Sequence, residues 1–210
     1  MPNLQLVRTG LERRAIANSR AGPPHNRTLA IMRTLSVFAL LLLSSTAFAQ
    51  VGWRDQHGHA ARDTDARKSV SGFGGWVIVT SDTDWQTKWE TPSNTTPRFT
   101  VVKDVSRGNR VFVLTFFANP KLNAAGEVNV TCDIEVTRPD GTISTHQSDV
   151  VCFKGVLKTD PHYTYLAAPV IGFVGDPGDP AGVWVVQVIL KDNIRHVAVP
   201  LRTSFTLLDK

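Results

Sequence analysis

Two cysteines, Cys132 and Cys152, are the only thiols the chain has. In an oxidising compartment an even number of cysteines pairs, and closing a loop of this size stabilises by about 3 kcal/mol on the chain-entropy estimate. The competing reading is two buried thiols, and the turn between the cysteines bears on the choice. A tight turn at Asp140-Gly141 sets Cys132 opposite Asp149 and aims Cys152 outward. A longer loop or one bulge instead sets Cys132 opposite Cys152 and Ile134 opposite Val150, and keeps Asp149 out of the interior. A disulfide is therefore expected.

The remaining chemistry-bearing clusters are sparse. His57 and His59 are the only histidine pair at chelating spacing. They lie on a polar segment without a nearby third ligand, and Asp55 and Asp63 are hard oxygen donors poorly matched to copper. Trp85 and Trp89, four apart, share one face of a short helix and are either a sugar-stacking platform or a plug at the end of a core. Asp176 and Asp179 in GDPGDP supply too few oxygens for calcium by themselves, and Asp-Pro is ordinary turn chemistry. His146, His162 and His196 are isolated in sequence, and His196 is expected on the polar face of a strand. The chain has no G-x-S-x-G, H-E-x-x-H or C-x-x-C motif and no glycine-rich phosphate loop leading into a helix. No catalytic residue and no cofactor is assigned on this reading. An enzyme remains open only as a hydrolase built by geometry, since triads need no local motif.

What positions these residues begins with an export signal. Residues 32–49, MRTLSVFALLLLSSTAFA, give a basic start at Arg33, an apolar run broken only by Ser36 and the small-residue site Ala47-Phe48-Ala49. Cleavage after Ala49 is expected, delivering the chain to the periplasm or the exterior. The run is far shorter than the roughly 20 residues of a membrane-spanning helix, so no transmembrane segment remains after cleavage. Residues 1–31 read as an unstructured upstream extension, because Arg13-Arg14 lies too far from the apolar run for a twin-arginine signal. Residues 1–49 also hold six arginines and one acid, so the formal +5 belongs to them. The remainder balances 17 basic with 17 acidic residues, which removes the compositional case for a nucleic-acid partner.

Residues 50–71 are polar and mixed in charge apart from Trp53, and predict a flexible leader. The folded domain is expected over residues 72–210. Residues 127–137, EVNVTCDIEVT, alternate strictly, as a half-buried strand does. Residues 111–118, VFVLTFFA, form a continuous apolar run that predicts a strand covered on both faces. VWVVQVILK, then Asp192-Asn193, then IRHVAVPLRTSFTLL predicts a hairpin. A two-residue loop there pairs Trp184 with Leu201, Val186 with Val199 and Val188 with Val197. Pro200 predicts an edge or a bulge in the last strand. Residues 84–90 predict the one helix, with Thr83 and Gln86 at capping-box spacing. Together these describe an all-β, single antiparallel sandwich with one short helix.

At PAGVWVVQVILKDN, preceded by EVTRPDGT, the chain resembles immunoglobulin-like sandwich domains of bacterial envelope proteins. Residues 72–210 are similar to uncharacterised exported proteobacterial proteins of that kind. The resemblance implies a fold rather than an activity. The antibody disulfide does not carry over, because these cysteines are close in sequence and no tryptophan lies between them. The function expected is an exported binding or interaction module whose partner is a protein or envelope component. A periplasmic metal-handling protein using His57 and His59 is the alternative, and a hydrolase without a recognisable motif comes third.

Overall fold

In a computed structural model of the chain, residues 5–7, 53, 59, 61–91 and 96–209 are described. The expected export signal, its expected cleavage site and His57 lie outside them. The strands are β1 (Gln5–Val7), β2 (Arg67–Val70), β3 (Phe73–Thr80), β4 (Asp104–Val105), β5 (Arg110–Ala118), β6 (Glu127–Thr137), β7 (Ile143–Val156), β8 (Thr164–Leu166), β9 (Val170–Val174), β10 (Gly182–Asp192) and β11 (Val197–Leu207), with one helix, α1 (Trp85–Trp89). One sheet runs β1-β9-β5-β3-β2, with β8 also on β5; the other runs β4-β11-β10-β6-β7. The second sheet is mixed rather than antiparallel throughout, because β4 lies parallel to β11. The free outer edge of β11 takes it in: Thr206 N–H donates to the Lys103 carbonyl and Leu208 N–H to the Val105 carbonyl.

The alternating residues of β6 do as their period dictates. Val128, Val130, Cys132, Ile134 and Val136 are buried against Val77, Val79, Val111, Val113 and Phe117 of the facing sheet. The sheets come close at Gly75, where a Cβ would lie 2.8 Å from Leu190 Cδ1 and 3.0 Å from Leu201 Cδ1. Any side chain there has to push two core leucines aside. At the wider end Phe173 packs on Trp184 and Phe205, with ring centroids 4.9 and 4.8 Å away.

β5 is covered on both faces, as its apolar run predicts. Its other side, Phe112, Leu114 and Phe116, meets a second cluster in which Trp85 and Trp89 of α1 lie over the sheet. No side-chain bond caps α1, so the expected capping box does not form; Asp84 is the N-cap. The helix is instead tied down by Asp82, whose Oδ2 accepts from Thr100 N–H at 2.8 Å and pairs with Lys88 Nζ at 2.9 Å. Ordered pairing also starts upstream of Gly72. β2 pairs with β3, Arg202 N–H donates to the Asp65 carbonyl, and Trp53 Nε1–H donates to the Lys68 carbonyl.

The closing hairpin forms in a different register from the expected one. Trp184 faces Phe205, Val186 faces Thr203, Val188 faces Leu201 and Leu190 faces Val199. Asp192 pairs with Val197, so the loop has four residues. Its carboxylate builds that loop by accepting from the N–H groups of Ile194 and Arg195, at 3.1 and 2.9 Å. His196 closes the loop at φ 59° and is not on a strand face. The displacement is even, so every side chain keeps its side of the sheet. Pro200 is two residues from Arg202, whose N–H points outward, so its missing donor costs no bond to β10.

The β6–β7 hairpin carries the Cys132–Cys152 disulfide, with Cα atoms 5.9 Å apart. Bulges do bring the cysteines together, although Cys132 pairs with Val150 and Ile134 with Gln147. Register shifts fall at three places. The one between Val130 and Thr131 leaves Cys152 unpaired on β7 and turns it inward.

Candidate functional site

The two sheets differ on their outer sides. The β3–β5 face is roofed by α1 and by Phe99, whereas among the described residues no element crosses the β6–β10 face. Outward residues of β6 meet those of β7 and β10 in rows set by the ladder. His146, Glu135, Gln187 and Arg202 line up across β7, β6, β10 and β11. Val151, Thr131 and Lys191 form a second row, and Asp133, Ile189 and Pro200 a third. Val151, Val183 and Ile189 are 55%, 50% and 38% exposed, so the surface alternates apolar and polar contacts.

Two polar constellations occupy it. Lys191 Nζ lies 2.6 Å from Asp133 Oδ1 and 2.5 Å from Asp149 Oδ1. Asp149 adopts φ 54°, and its N–H donates to Asp133 Oδ1 at 2.9 Å. Ser148 and Asp149 together oppose Asp133, which is the bulge. Burial raises the Asp133 carboxyl, but the Lys191 ammonium and the Asp149 N–H outweigh it and hold the group below its ordinary value. Its bonds to Asp133 and Asp149 hold Lys191 above its ordinary value, against a smaller cost of burial.

The second constellation is a chain of hydrogen bonds. Ser148 Oγ lies 3.2 Å from His146 Nε2, and His146 Nδ1 lies 3.1 Å from Glu135 Oε2. Gln187 Nε2 reaches the other Glu135 oxygen at 3.4 Å. In the tautomer that carries its proton on Nδ1, His146 donates to the Glu135 carboxylate and Nε2 is the acceptor for the serine hydroxyl. His146 is therefore not isolated. The signal for it is present in STHQSD, because residues two apart share a strand face and Glu135 lies directly across the hairpin.

The other candidate residues are placed as follows. Trp85 and Trp89 are 3% and 4% exposed, with their rings on Phe112 and Phe116. His57 lies outside the described residues, and His59 is exposed. Asp179 turns its Oδ2 back to the Asp176 N–H at 3.0 Å, within its own loop. His162 bonds the Asp160 carboxylate at 2.8 Å. Among the described residues no three His, Cys, Asp or Glu side chains are grouped so as to hold a metal ion. A further cluster, which the sequence reading did not single out, is structural. Buried Asp192 accepts from Lys121 N–H at 2.8 Å, and Arg195 bonds the carbonyls of Ser71 and Asn119 at 2.8 and 2.9 Å.

Neither family models nor curated proteins match the chain. A solved structure of a family 123 glycoside hydrolase from Clostridium perfringens, described for glycolipid glycan hydrolysis, is similar to part of it. That match has 11% identity and a TM-score of 0.37, and covers 65% of this chain but only 28% of the hydrolase. The likeness is a distant one, between a β-sandwich-like domain of two sheets and part of a larger enzyme.

Proposed function

We propose that the chain is an exported, immunoglobulin-like β-sandwich module that binds a protein or envelope component in the periplasm through the outer face of β6 and β10. One observation carries this reading: the opposite outer face is sealed by α1 and its tryptophans, while this one is left open with apolar residues exposed among polar rows. A half-exposed sheet with Val151, Val183 and Ile189 set between charged pairs has the mixed character of a recognition surface. The disulfide fits an oxidising extracytoplasmic compartment. No helix among the described residues is long and apolar enough to cross a membrane.

The test is site-specific photo-crosslinking in the producing cell. A crosslinker at Gln187 or Ile189 is expected to capture one common partner, and the same group at Val101, exposed and away from these strands, is expected to capture none. Capture from Val101 alone, or none from either face position, overturns the reading.

A further inference from the structure

We propose that Ser148 is an activated nucleophile for acyl transfer, with His146 as its base and Glu135 as the residue that positions the imidazole. The hydrogen-bond chain described above has the connectivity such chemistry needs. Serine hydroxyl meets Nε2, Nδ1 meets a carboxylate, and a side-chain amide steadies the second carboxylate oxygen. The backbone fixes this geometry. His146 and Ser148 share one side of β7, and Glu135 is the direct ladder partner of His146. Register shifts bracket that pair on either side, and the disulfide fastens β7 to β6 beyond them. Directly after Ser148 the chain turns through Asp149 at φ 54°, held by Asp133 and Lys191. A bulge re-aims the neighbouring side chain, and here it lifts Ser148 to the open surface.

The reaction consumes only an ester and water. Ser148 Oγ attacks the carbonyl carbon of an ester while its proton passes to His146 Nε2. The ester C–O bond breaks, and the leaving alcohol takes that proton. Water then attacks the acyl-serine with His146 again as base, releasing the carboxylic acid and restoring the hydroxyl.

The structure also limits the substrate class. The N–H after the nucleophile, a common oxyanion donor, belongs to Asp149 and is already given to Asp133. The site therefore relies on general-base assistance, which contributes about 10²–10⁴-fold. It suits small, open-access acyl donors with good leaving groups, such as aryl esters.

The experiment treats the mature protein with a fluorophosphonate probe and locates the adduct by peptide mass spectrometry, with p-nitrophenyl acetate turnover alongside. Phosphonylation is expected at Ser148 and not at Ser204, an exposed serine on β11. Ser148→Ala is expected to abolish it and His146→Gln to slow it about a hundredfold or more. All these side chains are at the surface, so unchanged urea midpoints confirm that the variants fold. For Glu135, ¹⁵N NMR reads the His146 tautomer: Nδ1–H in the wild type, shifting toward Nε2–H in Glu135→Gln. Labelling of Ser148 no faster than Ser204, wild-type labelling in His146→Gln, or an Nε2–H tautomer in the wild type each overturns the proposal.

Discussion

The carboxylate of Asp192 ties one end of the sandwich together, and its removal should be among the costliest single changes in the domain. Oδ1 takes the N–H groups of Ile194 and Arg195. Oδ2 takes the N–H of Lys121 and faces Arg195 Nε at 3.4 Å. Through Arg195, the same group holds the Ser71 carbonyl and the Asn119 carbonyl. Three loops thus converge on one fully buried side chain. Each hydrogen bond to a charged acceptor is worth about 1.5–3 kcal/mol alone. They do not add, because Ile194 and Arg195 are half-buried and regain water when the carboxylate is lost. Breaking a buried pair by deleting one partner costs about 3–5 kcal/mol, and Asp192→Ala is expected in that range. Arg195→Ala keeps the three backbone donors on Asp192 but leaves the buried carboxylate without its cation and frees the Ser71 and Asn119 carbonyls, so it too is expected to cost about 3–5 kcal/mol. The double variant should show a coupling of about 0.5–3 kcal/mol. Urea titration at pH 7 with the disulfide intact measures all three. An Asp192→Ala midpoint within about 0.5 kcal/mol of wild type, the scatter of ordinary surface sites, would refute the clamp.

Three further outcomes are expected. Burial pushes the Tyr165 hydroxyl up to about 12, above the unfolded value of about 10. The associated stability is full below pH 10 and is lost as pH rises through 12, an effect of roughly 3 kcal/mol. Tyr165→Phe loses the 2.6 Å bond to the Asp160 carbonyl, about 1 kcal/mol at neutral pH; titrations at pH 7 and 11 should also find its alkaline sensitivity reduced. Trp184→Ala empties the space beside Phe173 and Phe205 and should lower stability by about 3–5 kcal/mol in urea, whereas His196→Gly in the exposed loop should stay within about 0.5 kcal/mol. Thiol titration of denatured, non-reduced protein should find no free cysteine, and reduction should cost about 3 kcal/mol of stability.

Much of the fold is legible where burial alone decides. β6 runs over the residues whose alternation predicts it, and β5 is two-faced because its run is unbroken. Face assignments in the closing hairpin survive a displaced register because the displacement is even. What the sequence hides is set by single side chains acting on the backbone. Asp192-Asn193 reads as a two-residue turn, yet the Asp192 carboxylate gathers the following N–H groups into a longer loop. The bulges in β7 have no periodic signature, since Asp149 at φ 54° is held by Asp133 and Lys191 from other strands. His146 looks solitary only until the hairpin register is fixed: Ser148 is two residues on along the same strand face and Glu135 lies across the turn. Thr83 fails as a cap because tertiary contacts at Asp82 fix α1 instead.

The irregularity of β7 has a consequence for how the chain behaves in company. It is the last strand of its sheet among the described residues, fourteen residues long, and it exposes Ile143, Val151 and Val156. A flat strand of that length and composition is a template on which further chains would stack edge to edge. Its three interruptions deny a newcomer any long uninterrupted ladder, and the Cys152 carbonyl is already taken by Ala168 N–H from the loop between β8 and β9. The bent border is therefore a poor seed for fibre growth, and restoring a regular β7 would be expected to make the same surface prone to it.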